Sequence, residues 1–214
     1  MVEPGFDGPL TATLPGSLVT LEPLAEEHRD GLWEAGQPDE IWAWLARLNK
    51  SREFFDAWFD ATLASDAAGE GDPTETGTFA VRRNADGLIV GTSRYLGVRR
   101  YDRAVEIGWT WFNPAVWRTG VNVETKLLMF TNAFETLGCV RVELKTDARN
   151  ERSRGAMTAL PARFEGIMRK HMIVPDVGQR DSAYFSVIDD DWPEVRDALR
   201  ARLESATALD PLDA

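Results

Sequence analysis

The sequence is short of cysteine, of positive charge and of uninterrupted apolar runs. Cys139 is the only cysteine in 214 residues, which excludes an intrachain disulfide framework and fits a reducing compartment. Placed between Gly138 and the strand-like "VRVELK", it reads as a buried structural thiol. No apolar stretch approaches the length of a membrane span. The N-terminal "MVEPGFDGPLTATLPG" has neither the basic nor the apolar region of a signal peptide, so the expectation is a soluble, cytoplasmic protein. The 24 basic residues stand against 35 acidic ones, a net charge of −11. Binding to nucleic acid or to an anionic membrane would have to overcome overall repulsion, and neither is expected as a partner. No metal site is expected.

What is present organises into one domain. Residues 1–16, rich in Gly and Pro, read as a loose arm, and 205–214, "SATALDPLDA", as a loose tail. Between them, 17–204 form a single domain. "SLVTLEPL" reads as a strand, "AEEHRDGLWEAG" as a helix stopped by Gly36 and Pro38, and "DEIWAWLARLN" as one or two helical turns. "SREFFDAWFDATLA" is a helix with Ser51 as its N-cap. "TFAVRR" and "LIVGTSRYLGV" flank the turn "NADG" as a hairpin. "AVEIGWTWF" follows as a third strand, and a regular pleat would put Val105, Ile107, Trp109 and Trp111 on one face. After Gly120 the spacing of Val123, Leu127, Phe130, Phe134 and Leu137 predicts a helix ended by Gly138. "VRVELKTD" alternates as a strand, and "NERSRGAMTAL" is a helix stopped at Pro161. "RFEGIMRKHMIV" and "RDSAYFSVI" pair across "PDVG", and a last helix starts near "DDDWPEV". The order predicts an α+β fold with one βαβ unit set in a largely antiparallel sheet.

The strand-to-helix junction Trp117-Arg118-Thr119-Gly120-Val121-Asn122 carries the chemistry. An arginine, a small hydroxyl and a glycine where a strand hands over to a helix suit an anion held on the first helical N–H groups. In order and spacing, "EIGWTWFNPAVWRTG", "LGCVRVELKTDARNERS" and "RFEGIMRKH" resemble the RimJ/RimL-type branch of the GNAT superfamily of acetyl-CoA-dependent N-acetyltransferases, over roughly 17–188. The resemblance implies a mixed, mostly antiparallel sheet flanked by helices. In it, a strand pair splayed by a bulge near Trp109–Phe112 forms the acyl-CoA cleft. It implies acetyl-CoA as co-substrate, with Trp117 to Asn122, Asn150 and Ser153 binding it. Three departures stand out: Asn122 replaces the small last residue of the phosphate motif, Pro161 replaces a helix-ending glycine, and Met157 falls where many relatives carry a tyrosine.

By the same resemblance a backbone N–H at or beside Trp111 stabilises the developing oxyanion, and Ser153 protonates the leaving thiolate. Glu106, a carboxylate in an apolar strand, is the first candidate for the base that takes the proton of the attacking amine. His171, Glu165 and Glu143 follow it, while His28 reads as structural. Arg149, Arg152 and Arg154 are candidates to flank the phosphates. Trp42, Trp44 and Tyr184 are expected to line an aromatic acceptor cleft with an acidic rim, suited to a small-molecule or peptide amine. A non-catalytic CoA-binding or protein-interaction domain of the same fold is the alternative reading. The resemblance also admits a homodimer.

Overall fold

A computed structural model describes residues 6, 8–68 and 72–208. One eight-stranded sheet organises them, in the order β1-β2-β3-β4-β5-β6-β8-β7. The strands are β1 Leu14–Pro15, β2 Val19–Pro23, β3 Gly77–Arg83, β4 Ile89–Arg99, β5 Ala104–Phe112, β6 Arg141–Asp147, β7 Arg163–Val174 and β8 Gly178–Ile188. The helices are α1 Arg29–Ala35, α2 Arg52–Asp66, α3 Val121–Thr131, α4 Glu151–Ala159 and α5 Trp192–Ala208. All neighbouring strands run antiparallel except β5 and β6, which α3 joins as a crossover. This is the predicted α+β order with its single βαβ unit.

Two apolar clusters lie on the two faces of the sheet. Val105 and Ile107 of β5 and Val142 and Leu144 of β6 pack with Met129 and Phe130 of α3 and Leu199 of α5. Trp111 and Ala80 pack instead with Leu32 of α1, Trp42, and Phe55 and Phe59 of α2. The aromatic spacing of α2 therefore builds core, and the Ser51 cap is as predicted, its Oγ accepting from Phe54 N–H at 3.2 Å. Cys139 is buried, and burial pushes its thiol up to about 12, which fits a structural role.

Several expectations need correction. The described part of 1–16 is not a loose arm: Phe6 and Leu10 are buried in the larger cluster, β1 pairs with β2, and Arg100 donates to the carbonyls of Phe6 and Gly8. The helix expected to stop before 205 runs through Ala208, while 209–214 lie outside the described residues. The regular helix of α3 gives way at Asn132–Thr136 to a π-helical turn before Gly138. The N–H of Ala162 bonds to the carbonyl of Met157, five residues back, which is the ending a glycine normally allows. Pro161 sits inside that turn at φ 25°, far from the value its ring favours. Among the described residues no helix is long and apolar enough to cross a membrane.

Candidate functional site

The sheet opens between its two parallel strands. β5 and β6 pair over only three rungs, ending at Glu106↔Glu143. Beyond that point β5 stays with β4 as far as Phe112↔Gly91, while β6 stays with β8 as far as Asp147↔Ser182. The two strands must therefore part. The cause is local: Thr92 faces Trp111 and Arg94 faces Gly108, so Trp109 and Thr110 together oppose Ser93 alone. That extra residue is a β-bulge, and Trp109 absorbs it at φ 49°. The bulge falls where it was expected, but it also reverses the pleat. Trp109 and Trp111 consequently face α2 and Trp42, at 6.2 Å from Trp58 and 5.3 Å from Trp42, opposite Val105 and Ile107.

The bulge also fixes which peptide groups look into the gap. Asn113 N–H donates to Val90 O at 2.8 Å. Two residues back along the same antiparallel ladder, Trp111 N–H points toward β4 as well. The N–H groups of its neighbours Thr110 and Phe112 then face the gap, so the donor expected at or beside Trp111 is beside it, and Thr110 is the one that lies within the bulge.

At the mouth of the gap stands the first turn of α3. Arg118 and Gly120 both adopt left-handed φ, 68° and 86°, and turn the chain into the helix. Among the described residues the N–H groups of Thr119 to Val123 have no acceptor, and the first α-helical bond is Glu124 N–H to Gly120 O. Gly120 has a second reason to be glycine, since a Cβ there would lie 3.0 Å from Leu18 Cδ1. Thr119 gives its hydroxyl to Val116 O, Val121 buries its side chain in the core, and Arg118 is exposed. Five free donors, a helix dipole and an exposed guanidinium fit a diphosphate. The turn is held in place by Glu124, whose carboxylate accepts from the N–H groups of Ser17, Leu18 and Val19 at 2.7–2.8 Å. Across the mouth, Arg152 of α4 lies 4.2 Å from the Trp117 ring, bringing the start of α4 to the α3 turn.

On the face of the sheet opposite α3, polar side chains collect beside the gap. Glu106 is 5 % exposed, and Lys145 donates to its Oε2 at 2.8 Å. Burial pushes the Glu106 carboxyl above its ordinary value, against the pull of Lys145. Its Oε1 would lie 2.9 Å from a Cβ at Gly108, which explains the glycine. Tyr184 faces Lys145 across the β6–β8 ladder and is within 3.0 Å of His171 Nε2, while Ser182 Oγ is 2.9 Å from His171 Nδ1. Burial first, then Lys145 and Arg180, lower the His171 pKa. Arg180 is itself buried and donates through Nε to Ser182.

A model of the Acetyltransferase (GNAT) domain matches residues 19–163. The chain belongs to the GNAT acetyltransferase family. Membership makes acetyl-CoA the acetyl donor. A GCN5-related N-acetyltransferase from Brucella melitensis is 29 % identical over 94 % of this chain and 90 % of its own, with a TM-score of 0.84. A T. thermophilus protein assigned to the acetyltransferases is 30 % identical over 90 % of this chain and 97 % of its own, TM-score 0.78. RimJ from Mycobacterium smegmatis, solved with CoA-disulfide, shares the fold at 17 % identity over 89 % of this chain and 92 % of its own, TM-score 0.72. No curated protein matches the sequence.

In this acetyltransferase the predicted site residues do not all converge. Trp117 to Asn122 form the α3 turn as expected. Asn150 caps α4 through Oδ1 to Ser153 N–H at 3.1 Å, and the α4 start faces that turn through Arg152. Arg149 is held by Asp147 and covers the Trp44 ring at 5.4 Å, and Arg154 donates to Ala148 O, so neither is a free phosphate ligand. Trp42 is 3 % exposed with Nε1 given to Gly36 O, which makes it core rather than acceptor-binding. Glu143 and Glu165 are tied to arginines, Arg99 with Arg141 and Arg141 alone. His28 is buried and bonded to Glu22, a structural residue as expected. One cavity beside the start of α4 has a lining of mixed charge, with Arg149, Arg169 and Lys170 next to Asp147 and Asp181. Sequence reasoning missed Lys145, Arg180 and Ser182, although the alternation of "VRVELK" does set Lys145 on the face of Glu143, and the parallel register makes that the face of Glu106.

Proposed function

We propose that this acetyltransferase moves the acetyl group of acetyl-CoA to a primary amine by direct attack, as an N-acetyltransferase of the RimJ/RimL type. The acceptor classes are a protein N-terminus, a polyamine or a small-molecule amine. The observation that carries the reading is the buried Glu106 carboxylate at the last paired rung of β5 and β6. Among the described residues nothing donates to its Oε1, which lies beside Gly108, where the gap begins.

In this reading the peptide N–H groups of Thr119 to Val123 hold the diphosphate of acetyl-CoA, with Arg118 adding charge. The acyl arm enters the gap along the free edge of β5, and Thr110 N–H polarises the thioester carbonyl. The amine approaches from the face of Trp109 and Tyr184, and Glu106 takes its proton directly or through one water. Ser153, near the mouth, supplies the proton to the departing thiolate. Trp44 and Tyr184 border the acceptor side. A homodimer is compatible with this arrangement, which uses residues of one chain alone.

Free thiol released from acetyl-CoA against a panel of α-amines, polyamines and aminoglycosides tests the proposal. Turnover with at least one amine is expected, and Glu106→Gln lowers kcat/KM about 100-fold. Because burial raises the Glu106 pKa, the wild-type rate climbs with pH through a value above the ordinary carboxylate range, and that limb disappears in the variant. CoA binding without thiol release from any amine favours the non-catalytic alternative, and an unaltered pH profile in Glu106→Gln removes it as the base.

A further inference from the structure

A lysine that the mechanism above leaves unused sits directly under the bulge. Lys126 projects from α3 into the sheet and is 6 % exposed. Among the described residues it has no carboxylate partner. Its Nζ donates to Thr110 Oγ1 at 2.8 Å and to Ser93 Oγ at 3.4 Å, and those hydroxyls are 2.7 Å apart. Ser93 and Thr110 are the residues that face each other where the register slips. The other polar groups nearby are committed elsewhere: Tyr95 of β4 gives its hydroxyl to Met129 O, and Glu124 of α3 is taken up by the start of β2. Among the described residues no charged group of β1, β2 or α5 offsets the loss of solvation. Burial alone brings the amine down to about 7.

A buried amine without a counter-ion is costly, and an apolar side chain would fill the same space with less penalty. Its location supplies a reason for it. Thr110 is one of the two residues whose peptide N–H groups face the gap, the one within the bulge, and its side chain is what the lysine holds. We propose that Lys126 is a positioning residue for acetyl transfer, fixing Thr110 so that its N–H points at the thioester carbonyl and placing positive charge behind that donor. This rests on the acetyl-transfer reading of the gap. The ammonium is the form that strengthens the donor. Its share is present below about pH 7 and lost above, giving kcat a descending limb that Glu106 does not account for.

The test is the infrared carbonyl stretch of [1-13C]acetyl-CoA bound to the full-length protein, compared with the free thioester. In wild type the band moves to lower wavenumber. Lys126→Met and Thr110→Val each lose at least about half of that displacement, keep the acetyl-CoA dissociation constant within about threefold, and lower kcat at least about tenfold with the amine KM little changed. Lys126→Met also loses the limb near pH 7. Thr110→Ser, which keeps the hydroxyl, restores the band. In wild-type protein labelled at lysine Cε, the Lys126 resonance titrates near neutrality, so one arm of the test does not depend on any variant folding. A wild-type band and pH profile in both variants, or a Lys126 titration at the ordinary value near 10.4, overturns the inference. Failure of the wild type to bind acetyl-CoA instead overturns the acetyl-transfer reading on which it rests.

Discussion

Glu106 and Lys126 are both buried ionisable groups, and the protein treats them differently. Glu106 has Lys145 as a counter-ion, whereas among the described residues Lys126 has only hydroxyls. Folding must therefore bury the Lys126 charge or remove it. Below about pH 7 the native lysine keeps its proton and the penalty is present in full. As pH rises the native amine deprotonates, and the penalty fades as the unfolded chain nears its own titration above 10. Lys126→Met should raise Tm by about 5 °C at pH 6 and by clearly less at pH 10, as calorimetry can check. An equal gain at both values would mean that the amine is not perturbed. Little of this was visible in the sequence. "VNVETKLLMF" shows a lysine in a helical pattern, and only the register slip opposite Ser93 reveals that it turns inward. Glu106 was legible, because a carboxylate inside "AVEIGW" has few ordinary reasons to be there.

At the scale of elements, the site depends on two terminations, the start of α3 and the early parting of β5 from β6. The α3 start was read from Trp117 to Asn122, since left-handed glycine and free N–H groups follow from residue type and position. Asn122 is in the first turn, so Asn122→Asp should bring like charge to the diphosphate and weaken CoA binding about tenfold by calorimetric titration. Unchanged affinity would place the phosphates elsewhere. The parting of the strands was anticipated only through the resemblance, and the reversed pleat was missed because periodicity assumes a regular strand. Glu124 was missed for a related reason. Its partners, Ser17 to Val19, lie more than a hundred residues away in sequence, and no local pattern signals such a contact. Glu124→Gln puts an amide where the carboxylate accepts three backbone N–H groups, and should cost about 2–3 kcal/mol in denaturant unfolding. No loss of stability would show that the α3 turn is held by packing alone.

For the whole molecule, composition set the class and the charge, and the order of elements set the topology. The N-terminal arm escaped, because Gly and Pro hid the two residues, Phe6 and Leu10, that the core takes up. The net charge of −11 gives a prediction at this scale: kcat/KM for a polycationic amine should fall several-fold between about 20 and 200 mM salt, and that for a neutral-bodied amine should hold nearly constant. Equal salt dependence would show that the overall field does not guide the acceptor. The account as a whole turns on the α3 start and the open strand edge receiving acetyl-CoA. Amide hydrogen exchange of Thr119 to Val123 and of Thr110, with and without CoA, tests this most directly. The account predicts rapid exchange in the free protein and strong slowing at all these amides when CoA binds. Bound CoA with their exchange unchanged would contradict it.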